Sequence, residues 1–168
     1  HVVQILHYDG KTLPEETRKK WEQIRDELTG SDFGALMRRY VGMDLLEDQF
    51  DEHGNQVDQA QSKIEELARQ AVDNHGLLWT ELPWLVTSEA ENGFRFGYEL
   101  ARRDEQFTCL SVLLDAQKGA APNASLFFIG GYFRALREKD EQGWEKQLDS
   151  LAGDEQTRAW VAELTWRS

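Results

Sequence analysis

The stretch AENGFRFGYELARRDEQFTCLSVLLD, residues 90–115, is written twice in this chain. Moved forward by 34 positions, Ala90, Phe94, Gly97, Tyr98, Ala101 and Arg103 return as Ala124, Phe128, Gly131, Tyr132, Ala135 and Arg137. Leu114-Asp115 returns as Leu148-Asp149, which makes eight identities in 26 columns. The conserved spacing of i, i+4, i+7, i+8 and i+11 marks one face of an α-helix. A fixed period of this length is the signature of a helical repeat. A fainter copy lies upstream: Glu66-Leu67-Ala68-Arg69 recurs 33 residues later as Glu99-Leu100-Ala101-Arg102.

Working outward, capping signals divide the chain into short amphipathic helices. Thr12-Leu13-Pro14-Glu15 opens a helix with Trp21, Ile24 and Leu28 on one stripe and Gly30 as its stop. Asp32 opens a second, which closes near Gly42. Between Met43 and Asp58 the rhythm lapses into an acidic loop or small β-hairpin around His53-Gly54-Asn55. Asp58 caps the next helix, which ends near His75, where a cation suits a helix C-terminus. The apolar helix after it contains Pro83, which should kink it or confine it to two short turns. Ser88-Glu89-Ala90-Glu91 reads as the capping box of the first copy, and Asn123 as the N-cap of the second. Asp154 caps a last helix with Trp160, Val161 and Leu164.

The expected fold is therefore all-α: stacked antiparallel helical hairpins, α-solenoid-like, with a small irregular or hairpin segment near 43–58. Residues 1–57 form an N-terminal helical segment with its acidic loop, and 58–168 the array. Glycines at 93, 97, 130 and 131 cost helix stability, about 1 kcal/mol each against Ala. Close approach of a neighbouring hairpin is the reason to keep them.

Over roughly residues 58–168 the arrangement resembles the HEAT/armadillo α-solenoids. The tetratricopeptide repeat shares the period, and Ala90, Phe94 and Gly97 mimic its second helix, but the Trp-x2-Leu-Gly-x2-Tyr pattern of its first helix is missing. Acidic, Trp-rich helical pairs also look like the C-terminal arrays of large bacterial multidomain proteins, among them signalling and defence NTPases. That resemblance implies a partner-sensing role.

Composition bounds the function. Of 168 residues, 40% are hydrophobic and six are Trp, which is globular rather than low-complexity. Nineteen Lys+Arg against 31 Asp+Glu give a net charge of −12. A body this acidic repels phosphate backbones and anionic lipids, so neither nucleic acid nor membrane is expected as a partner. A single cysteine, Cys109, fits a reducing compartment and reads as a small core residue, and the expected location is cytoplasmic. The sequence starts at His1 and stops while a helical pattern is running, so the rest of a longer chain is an expected neighbour.

No catalytic, cofactor or metal site is read from the sequence. Gly10-Lys11-Thr12 lacks the first glycine of a phosphate-binding loop, Ile5 standing there. The acidic loop fits no EF-hand register, and His1, His7, His53 and His75 are not spaced as helical metal ligands. The expected function is a non-catalytic scaffold for a basic protein or peptide, with Trp79, Trp84 and Trp144 as candidate contacts. The alternative is a helical subdomain of a larger enzyme whose catalytic domain lies elsewhere.

Overall fold

The computed structural model of the chain describes residues 12–42, 48–50, 56–120 and 124–168. Asn123, His1, His7, Gly10-Lys11 and the centre of the acidic loop, with His53 and Gly54, lie outside them. Among the described residues there are nine helices: α1 (Glu15–Thr29), α2 (Phe33–Tyr40), α3 (Gln59–Asp73), α4 (His75–Leu85), α5 (Gly93–Arg103), α6 (Leu110–Lys118), α7 (Phe127–Lys139), α8 (Glu141–Gly153) and α9 (Trp160–Arg167). The one sheet among them is a short antiparallel pair, β1 (Asp48–Phe50) with β2 (Gln56–Asp58), in register Gln49 opposite Val57.

Local chemistry explains most boundaries. Gly30 takes the left-handed conformation (φ 81°) that stops α1. Asp32 accepts the Ala35 N–H at 3.0 Å, Asn74 the Gly76 N–H at 3.1 Å, and Asp140 the Gly143 N–H at 2.9 Å, capping α2, α4 and α8. His75 therefore opens α4 rather than closing α3, because Asn74 supplies the cap between them. Pro83 is the third-last residue of α4, and the helix runs through it to Leu85 rather than dividing into two short turns. The box at Ser88 caps no helix: residues 88–92 are turns, and α5 starts at Gly93. Likewise Asp154 accepts the Gln156 N–H within a turn, and α9 begins only at Trp160.

The all-α expectation holds; the helix contacts show a packed bundle, and do not establish a solenoid-like stack of hairpins. Its centre is the row α3, α5, α7, with α8 and α9 against α7 and α2 against α3. The helices that open the two matched stretches, α5 and α7, make the most extensive packing in the bundle. A Cβ on Gly97 would overlap the carbonyl of Phe128, and a Cβ on Gly131 would overlap the carbonyl of Phe94. These glycines are kept because the two backbones touch, and the approach is made by the other copy. The contact is reciprocal: Phe128 and Gly131 are Phe94 and Gly97 displaced by 34. Like faces like, as across an isologous two-fold interface.

Around this crossing Phe96 stacks on Phe128 with ring centroids 5.8 Å apart. Phe96, Phe128, Tyr132 and Phe133 are fully buried, each apolar ring contributing about 1.5–3 kcal/mol. On the other side of α5, Glu99 is buried against α3, accepting from Arg103 on its own helix and from Gln61 at 3.1 Å, while Arg103 also reaches Glu65 at 3.5 Å. A buried carboxylate is tolerated when it is paired and hydrogen-bonded in this way.

Candidate functional site

The same reciprocity places two phenol–carboxylate pairs. Tyr132 donates to Asp104 at 2.7 Å, and Tyr98 donates to Glu138 at 2.8 Å. Position 98 corresponds to 132, and 104 to 138, in the 34-residue register. Their surroundings differ.

The Asp104 pair is buried. Its carboxylate also accepts the Thr108 N–H at 2.9 Å, the Thr108 hydroxyl at 3.0 Å and the Cys109 N–H at 2.8 Å. Residues 105–109 thus fold back over it as a turn, with Phe107 in a left-handed conformation (φ 53°) and its ring edge-on to Tyr132 at 6.0 Å. Burial alone would raise the Asp104 pKa; donors from Cys109, Tyr132 and Thr108 outweigh it, and the net shift is downward. Burial and the Asp104 charge push the Tyr132 phenol up. The Cys109 thiol rises to about 12 for the same two reasons.

The Glu138 pair is open. Its Oε2 accepts from Tyr98, and its Oε1 accepts from Arg134 Nε at 2.7 Å; these bonds hold its pKa below the ordinary value. No turn covers it, because Asp140 caps α8 directly and the chain enters that helix at Glu141. The pair instead lines a hollow of about 350 Å³ with Phe94, Arg134 and Arg167. Phe94 and Arg167 also line a neighbouring hollow of about 460 Å³ with Glu91, Arg95, Phe127 and Trp166. The two hollows share Phe94 and Arg167 and form a groove open to solvent along α5, α7 and α9.

Gly130 admits α9 here, since a Cβ there would press on the Arg167 side chain at 2.8 Å. Arg167 lies over the Phe127 ring at 4.2 Å and bonds Glu163 at 2.8 Å. Arg134 also donates to the Ser168 carbonyl at 2.9 Å. The groove exposes two large apolar side chains, Phe127 (40%) and Trp166 (81%). Arg134 pairs with Glu138 and Arg167 with Glu163, so the groove presents aromatic surface beside ion pairs.

The tryptophans singled out from the sequence lie elsewhere, and the structure does not bring them together. Trp84 (9% exposed) and Trp144 (8%) are core residues, each covered by an arginine: Arg38 at 3.9 Å and Arg137 at 4.8 Å. They lie on the inward stripes of their helices, which leaves little of either ring for a partner to touch. Trp79 is half-buried beside His75, ring centroids 5.3 Å apart. Phe94, Tyr98, Phe127, Glu138 and Trp166 were missed as site residues, although Phe94 and Tyr98 are among the repeated positions.

His75 Nε2 lies 3.6 Å from Cys109 Sγ. The sulfur is fully buried and its thiol stays protonated, so this contact does not make a nucleophile. Among the described residues no three His, Cys, Asp or Glu side chains converge as metal ligands, and no helix is long and apolar enough to cross a membrane. No family model, curated protein or solved structure matches the chain.

Proposed function

We propose that this chain is a non-catalytic helical interaction module that holds a basic protein or peptide partner. The observation that carries the reading is the open groove of α5, α7 and α9, where Phe127 and Trp166 are exposed in a hollow that shares Phe94 and Arg167 with the one lined by Glu138. Exposed aromatics beside matched charges are the usual anchors of protein interfaces. The net charge of −12 favours a basic partner and speeds its approach. The repeat of residues 90–115 supports a degenerate helical-repeat origin for the module, and the single cysteine supports a reducing, cytoplasmic setting.

Selection from a random-peptide display library on the immobilised chain tests this. The expected result is enrichment of Lys- and Arg-containing sequences whose affinity falls as salt rises. Failure to enrich any sequence, or enrichment of neutral sequences with salt-independent binding, contradicts it.

A further inference from the structure

We draw no further inference here: the strongest candidate, the open groove along α5, α7 and α9 with Phe127 and Trp166 exposed in it, has Arg134 and Arg167 already paired to Glu138 and Glu163, and nothing in the structure shows what covers it.

Discussion

Tyr132 donates its hydroxyl to Asp104 at 2.7 Å in the core, closing α7 onto the end of α5. Its repeat partner Tyr98 makes the same bond to Glu138 at 2.8 Å, but at the surface. Two like pairs thus sit in different settings, one covered and one open, and the difference between them is the five-residue turn over Asp104.

That difference predicts unequal losses. Tyr132→Phe removes a donor from a buried carboxylate and should cost about 2 kcal/mol, whereas Tyr98→Phe should change stability by less than about 0.5 kcal/mol. Urea unfolding of both variants measures the contrast, and equal losses would refute the asymmetry.

Glycine substitutions should carry opposite signs. Gly131→Ala drives a methyl into the Phe94 carbonyl and should destabilise by about 1–3 kcal/mol or more. Gly153→Ala, where a Cβ meets nothing within 4 Å, should be neutral or stabilising by up to about 1 kcal/mol. Melting temperatures of the two variants, each against the parent, check the signs.

Acid should unmask Asp104. Its folded pKa lies below the ordinary 3.8, so its contribution is fully present above that value and is lost as pH falls through the folded pKa. The window is therefore below about pH 4. Asp104→Asn should lose stability at neutral pH, and its deficit against the parent should shrink as pH falls through this window. A deficit constant from pH 6 to pH 2 would show that Asp104 is not a stabilised carboxylate.

Cys109 should resist thiol reagents. With its pKa raised to about 12 and its sulfur buried, a disulfide reagent at pH 8 should leave it unmodified in the native protein and react promptly in urea. Rapid native labelling would mean that the 105–109 turn opens readily.

Much of the helical fold was legible in the sequence because apolar spacing and caps act locally. Gly30 and Asp32 each announced a feature that the structure contains. What the period left undetermined was the direction of repetition. A 34-residue repeat is equally compatible with copies stacked in series and with copies crossing face to face, and only the backbone contact at Gly97 and Gly131 distinguishes them. The box at Ser88 misled because its side chains end in turns, and His75 because Asn74 caps the helix that follows rather than letting α3 run on. The groove was illegible for a related reason. Its residues come from α5, α7 and α9, and no local pattern links Tyr98 to Glu138 or to Trp166. The tryptophans drew notice by type, and Trp84 and Trp144 pack in the core.

The reciprocal crossing is tested most directly by proton–proton contacts across α5 and α7. Nuclear Overhauser effects should join the Gly97 α-protons to Phe128 and, equally, the Gly131 α-protons to Phe94. Both sets together establish the face-to-face pairing from which the open groove follows. One set without the other would contradict the reciprocal crossing of α5 and α7.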